Sequence, residues 1–350
     1  MSNYKSFACT AKGGSHIKEG KDCQDSSYPS VPSAMTSGFS IAVVADGHGS
    51  DNCFRSDKGA KLAVACATNG IQGFIKYIEE KKGNEIESSL RKRLNEIESS
   101  LRKRLIEDGI IRAWYKNIAD DYEKQPFTKE EIEKISEKYR KRYEKGEDFH
   151  HAYGATLIAA AVTNDYWFGF HIGDGRFTAL YADGSFNQPV PWDEKCYLNV
   201  TTSICDDNAA ERTRSYFSFH AENSPPVAIF LCSDGVDDNY PVEGNEKHLF
   251  KLYRTIALEY AKEGFENTCE QLKELVKKFA NEGKRDDTSI AVIIDMDALK
   301  QVAPIWEEQT AKEEKEKNIV AAKEPSIAPA SSPENKDELP QTNFDIKQGI

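Results

Sequence analysis

No two of the eight cysteines in this chain have the CxxC spacing of a zinc knuckle or a redox motif. They stand at 9, 23, 53, 66, 196, 205, 232 and 269, several inside apolar runs, and read as reduced, buried thiols rather than a disulfide framework. Positive charge is short as well. Fifty-eight acids face 46 bases for a net charge of −12, which argues against a nucleic-acid surface and suits a protein that attracts cations. No apolar run approaches the roughly 18 residues of a membrane span. Met1 to Phe7 has neither an apolar core nor a cleavage signature, so no secretory signal and no membrane partner are expected, and a cytoplasmic location is.

What is present is enough for a large core: 350 residues, 39% of them hydrophobic, with 17 Phe, 15 Tyr and 4 Trp. Ile41 to Ala45 is an unbroken apolar run, the mark of a strand buried on both faces, and it leads straight into Asp46-Gly47-His48-Gly49. An acid at the tip of a rigid strand is well placed to hold a metal or do catalysis. The pattern recurs. Asp174 interrupts the apolar stretches 166–172 and 177–181, Asp234 follows the strand 226–231, and Asp286 precedes the strand 289–295. Gathered at one end of a sandwich of sheets, four such acids repel one another unless cations lie between them. All-oxygen carboxylate sites suit Mg2+ or Mn2+. A pair of such ions about 3.5–4 Å apart suits displacement at phosphorus. Residue type and placement alone therefore point to metal-assisted hydrolysis of phosphate esters.

Between these strands the spacing predicts a helix over 51–69, interrupted by Gly70 and Gly73, and a second over 74–82. The segment Asn84 to Leu94 recurs unchanged at Asn95 to Leu105. Eleven residues span about three turns, so Ile86, Leu90, Leu94, Ile97, Leu101 and Leu105 fall on one stripe of a continuous helix. Helix is expected through Tyr115, a break at Pro126, and a capped helix from Thr128 to about Gly146. Residues 74–148 thus read as a helical insert, a candidate arm in a catalytic domain of residues 1–300. Asn164-Asp165 and Asp183-Gly184 mark hairpins, and 187–215 reads as a long irregular stretch able to cover a site. Helices are expected near 246–262 and 267–281. Residues 301–350 form a charged tail, disordered apart from a weak helix at 306–322.

Five motifs occur in fixed order: Asp46-Gly47-His48-Gly49, Gly154-Ala155-Thr156, Gly173-Asp174-Gly175-Arg176, Ser233-Asp234-Gly235 and Asp286-Asp287-Thr288. In that order the chain resembles the metal-dependent serine/threonine protein phosphatases of type 2C. Ser15-His16, Gly20 and Cys23-Gln24-Asp25 resemble a bacterial-style branch of them. The resemblance covers about residues 5 to 296. It implies an α+β fold, a four-layer α-β-β-α sandwich with a central antiparallel β-sandwich flanked by helices. It implies two Mg2+ or Mn2+ ions and a third, looser one. Asp46 would bridge the pair, the Gly47 carbonyl would bind one, and Asp234 and Asp286 would complete the other. Asp25 would act through water, and Asp174 and Asp238 would hold the third. His48 would be the general acid, its ordinary pKa near 6.5 suiting that role. The substrate would be a phosphoprotein; the sequence leaves the oligomeric state open, with a monomer favoured.

Three positions depart from the family pattern. Gly20 stands where many relatives carry a phosphate-binding arginine, which leaves Lys18 and Lys21 as candidate substrate-binding residues without an arginine's bidentate fork. Gln24 stands where animal relatives often have glutamate, and Asp287 where asparagine is usual. Two other readings share the fold: a binding or regulatory module with little turnover, and a phosphatase for small esters. The retained acids favour the phosphoprotein phosphatase.

Overall fold

A computed structural model describes residues 3–34, 38–82, 96–193, 196, 200–241, 244–282 and 285–321. Residues through Gln301 form one compact unit and those from Val302 a second. The expected apolar runs are strands. Sheet A has the order β3 (Ser33–Ala34), β1 (Tyr4–Ala11), β11 (Thr288–Asp295), β10 (Ala228–Cys232), β7 (Arg176–Leu180), β8 (Phe186–Asn187). Sheet B has the order β2 (Ser26–Tyr28), β4 (Phe39–Ala45), β5 (Leu157–Thr163), β6 (Tyr166–Ile172), β9 (Arg214–Phe219). Every described pairing in both sheets is antiparallel.

Alternation along the strands separates two cores. Ala42 and Val44 of β4 join Tyr4, Ile158, Ile229 and Ile293 in the apolar layer between the sheets. Ile41, Val43 and Ala45 face the other way, onto the helix α2 (Ser56–Lys82). After α1 (Gly14–Glu19) and α2, the chain continues as α3 (Arg112–Lys124), α4 (Asn245–Glu263), α5 (Phe265–Asn281) and α6 (Met296–Ala321). On the far side of sheet A, Phe230 stacks on Tyr253 of α4 at 4.6 Å, and Lys273 of α5 lies over Phe7. The result is the expected four layers.

The helix expected from Thr128 to about Gly146 starts at the Thr128 cap but is two short helices, Lys129–Glu133 and Glu137–Tyr143, and the helical block differs from its sequence reading in three further respects. Gly70 does not interrupt α2, which runs unbroken for 27 residues. Its missing side chain serves packing instead: a Cβ there would lie 3.1–3.2 Å from Ile110, the Gly109 carbonyl and Leu105. Next, Leu101–Ile111 is a π-helix, not α-helical. The wider turn joins residues five apart, so Leu101, Leu105, Ile106 and Ile110 share the buried face. Finally, from residue 96 onward the arm expected over 74–148 is packed into the core on α2, with Trp114 and Ile118 fully buried. Residues 83–95, with Ile86, Leu90 and Leu94, lie outside the described residues.

Side-chain contacts show that this second course runs antiparallel to α2. Lys58 reaches Asp121 at 3.1 Å, Trp114 Nε1 donates to the Gly59 carbonyl at 2.9 Å, and Arg104 lies over Tyr77 at 4.4 Å. Deleting Asn95 to Leu105 joins the identical first copy to Ile106. Ile86, Leu90 and Leu94 then occupy the positions of Ile97, Leu101 and Leu105, and Gly83-Asn84 becomes a two-residue link of the length that joins antiparallel helices. Because each buried Leu is worth about 1.5–3 kcal/mol, leaving those positions unfilled would unfold much of the block. The deletion variant is therefore expected to melt within about 3 °C of the parent, a shift of under roughly 1 kcal/mol. A fall of 10 °C or more by calorimetry would show that the two copies are not interchangeable.

The tail expectation changes too. The helix α6 continues past Pro304 to Ala321, longer than the expected 306–322 element, and residues 322–350 lie outside the described residues. Among the described residues no helix is long and apolar enough to cross a membrane.

Candidate metal centre and active site

Antiparallel register brings the motif residues to one end of the sandwich. Ser26 pairs with Ala45, Leu157 with Ile172, Cys232 with both Arg176 and Ile290, and Ala11 with Thr288. Asp25, Asp46, Thr156, Asp174, Asp234 and Asp286 each lie one or a few residues beyond those pairs. Asp46 is held on both sides of its backbone. Its NH donates to Thr156 Oγ1 at 3.1 Å, and its carbonyl accepts the Thr156 NH at 2.7 Å. Gly47 then turns the chain where nothing larger fits, since a Cβ would lie 2.7 Å from the Ser56 carbonyl oxygen and 2.8 Å from that of Gln24.

The acids crowd there as their placement predicted. Burial pushes the Asp46 carboxyl well above its ordinary value, and the charges of Asp25, Asp234 and Asp174 add to the effect. Asp234 is pushed up to about 8, by burial first and then by Asp174, with Asp238 contributing further. Asp25 is pushed up to about 7 by burial and by Asp287, against hydroxyl hydrogen bonds that favour its charge. Asp174 is raised by burial, with Thr201 opposing. The stretch 187–215 thus does reach the site, through Thr201 and through Thr202, whose Oγ1 accepts the Gly173 NH at 2.9 Å. Asp237 is kept out of the cluster by Arg176, which donates to its Oδ2 at 2.5 and 2.9 Å and stacks on Trp192 at 3.8 Å.

Asp286 does not join this group. Its side chain is 53% exposed and lies 3.9 Å from His16 Nε2, and its Oδ1 accepts the Asp287 NH at 2.8 Å. Asp287 points inward instead. Its carboxylate takes the Gly13 NH at 2.6 Å, the Gln24 NH at 2.5 Å and His16 Nδ1 at 2.9 Å, fastening the Ser15-His16 and Gln24-Asp25 motifs to the start of β11. In sequence Asp287 is a member of the Asp286-Asp287-Thr288 motif and a departure from the usual asparagine, with no role of its own. The acid-glycine-rich spacing that marked the other sites gives no sign of this clasp.

The His48 ring is enclosed by its neighbours. A Cβ on Gly154 would lie 2.7 Å from His48 Cδ2, so the ring packs on that backbone. Burial lowers its pKa to about 4, with Asp206 opposing and His151 reinforcing the shift, which corrects the expected value near 6.5. Lys18 and Lys21 are both exposed, at the end of α1 and just past it. Lys21 pairs with Glu19 at 2.8 Å and also feels Asp51 and Asp286, which puts it at the rim of the site. Gly20 between them is left-handed, with φ 67°.

Among the described residues, no group of three or more His, Cys, Asp or Glu side chains is arranged to hold a metal ion. The donor chemistry nevertheless fits a hard divalent cation. Every group in the cluster is a carboxylate, Asp25 Oδ1 is buried without a well-formed hydrogen bond, and the mutual repulsion is of the kind a cation relieves.

A family model described as protein phosphatase 2C matches residues 12–277. No curated protein matches the chain. Solved structures similar to it include the Mycobacterium tuberculosis serine/threonine phosphatase PstP/Ppp, at 15% identity over 83% of this chain and 98% of that one, with a TM-score of 0.48. Another is PppA of Pseudomonas aeruginosa, at 14% identity over 84% and 98% and a TM-score of 0.46. A third is the serine/threonine phosphatase Stp1 of Staphylococcus aureus, at 12% identity over 83% and 94% and a TM-score of 0.43.

Proposed function

The chain belongs to the protein phosphatase 2C family, and from that premise we propose that it hydrolyses phosphoserine and phosphothreonine in proteins at the acidic end of its β-sandwich. The observation that supports this most is the packing of Asp25, Asp46, Asp174 and Asp234 into one desolvated cluster. Asp46, the Gly47 carbonyl, Asp234 and Asp286 would hold two Mg2+ or Mn2+ ions, with Asp25 behind them and Asp174 and Asp238 at a third. Bound there, such ions stabilise negative charge at phosphorus and make water a nucleophile at neutral pH.

The chain's own residues do the rest. Thr156 holds Asp46 in place, and the Arg176–Asp237 pair keeps a further charge out of the cluster. Lys21 and Lys18 would draw the phosphate to the rim as point charges. His48 would pass a proton to the departing serine or threonine Oγ only from its charged form, which burial makes a minor one at neutral pH and Asp206 favours, so this contribution should grow as pH falls toward 4. The role is tested by the leaving group. A serine alkoxide needs the proton and a nitrophenolate does not, so His48→Gln should slow phosphoserine-peptide hydrolysis by roughly 10²-fold and nitrophenyl phosphate hydrolysis far less. Equal losses on both substrates, with Mn2+ affinity unchanged, would remove His48 from that role. Wild-type hydrolysis of the nitrophenyl ester alone would favour the small-ester reading.

A further inference from the structure

Two of the departures from the family pattern, Gln24 and Asp287, meet in the structure. Asp287 Oδ1 accepts the Gly13 NH at 2.6 Å, and its Oδ2 accepts the Gln24 NH at 2.5 Å and His16 Nδ1 at 2.9 Å. An asparagine has only one acceptor oxygen. Whichever way its amide is turned, the NH2 faces one of the two backbone NH groups. The carboxylate is therefore matched to this chain's own backbone, and it fixes the main chain of Gln24.

Gln24 in turn holds the turn after β4 at two points. Its carbonyl accepts the Gly47 NH at 3.1 Å. Its Nε2 donates to the His48 carbonyl at 3.3 Å and to Ser56 Oγ, at the start of α2, at 2.6 Å. A backbone carbonyl can only accept, so the side chain that meets it must carry a proton, which an ionised glutamate lacks. Among the described residues nothing donates to Gln24 Oε1, so this side chain works as a donor alone. The Gly47 carbonyl lies between the two groups that Gln24 holds, the NH of Gly47 and the carbonyl of His48.

We propose that Gln24 is a positioning residue for the metal centre, aiming the Gly47 carbonyl by holding the turn on either side of it, and that Asp287 acts through Gln24 by seating its backbone. The inference rests on the reading of Gly47 as a metal ligand. It also gives the two departures one cause: a glutamine that donates to the turn, and a carboxylate that seats the glutamine.

The test is Mn2+ binding to the substrate-free full chain by isothermal titration calorimetry, with the melting temperature of the metal-free protein measured beside it. Gln24→Met keeps the length and bulk of the side chain, adds no charge and removes both donated bonds. Groups behind a metal ligand are typically worth 10- to 100-fold in affinity. The Gly47 NH keeps its bond to the carbonyl of residue 24, so Gln24→Met should weaken Mn2+ binding by about 5- to 20-fold, toward the lower end of that range. The Mn2+ concentration that half-saturates nitrophenyl phosphate hydrolysis should rise by the same factor. Asp287→Asn, which leaves the side chain of Gln24 intact, should also weaken Mn2+ binding, and it carries the test alone if Gln24→Met does not fold. Because both act through residue 24, the double variant should lose less than the product of the two single losses. Single losses that multiply in the double variant would overturn the role given to Asp287. A lower metal-free melting temperature with unchanged Mn2+ affinity would make Gln24 a structural residue only, and would overturn the inference while leaving the metal reading standing. A wild-type protein that binds no Mn2+ would overturn both.

Discussion

Asp46→Asn is expected to lower phosphoserine-peptide turnover by about 10³-fold or more while the chain stays folded. The substitution keeps the shape and both backbone bonds to Thr156, so β4 and its turn are undisturbed. What it removes is the charge at the middle of the cluster. Metal ions stabilise transition-state charge by several kcal/mol, and about 1.4 kcal/mol is a factor of ten. The metal-free protein should respond in the opposite sense. A carboxyl whose folded-state pKa is raised binds more protons folded than unfolded between its ordinary value and the raised one. Stability therefore falls as pH rises through that window, which ends near 7 for Asp25 and near 8 for Asp234. An uncharged residue at 46 weakens the repulsion behind that fall. Metal-free Asp46→Asn should melt above the wild type at pH 8, and by less at pH 5. Near-wild-type turnover, or a lower melting temperature at pH 8, would contradict this account of the cluster.

The acidic end was legible because buried strands announce themselves. The runs before Asp46 and Asp234 are unbroken and apolar, so the sequence shows both where a strand stops and which acid follows it. Asp286 and Asp287 show where such reading ends. Both precede β11, and successive residues there point to opposite sides, but which one turns inward depends on partners far away in the chain: Gly13, His16 and Gln24. The same applies to His48, whose burial comes from the backbone of Gly154. Gly70 was read as a breaker because helix propensity penalises glycine. Close packing of the π-helix outweighs that cost, roughly 1 kcal/mol, and the π-helix itself was hidden in an apolar spacing that an α-helical stripe fits almost as well.

The central claim is that these carboxylates work as a metal centre for phosphate-ester hydrolysis, and metal withdrawal tests it most directly. Without cations the carboxylates can relieve their repulsion only by taking up protons, and a protonated cluster supplies neither the charge stabilisation nor the activated water that the chemistry needs. Phosphate release from a phosphoserine peptide should be followed after full chelation and then across a Mn2+ titration of the same sample. The account predicts a loss of about 10³-fold or more under chelation, with recovery as Mn2+ saturates the site. Undiminished hydrolysis in excess chelator would contradict it.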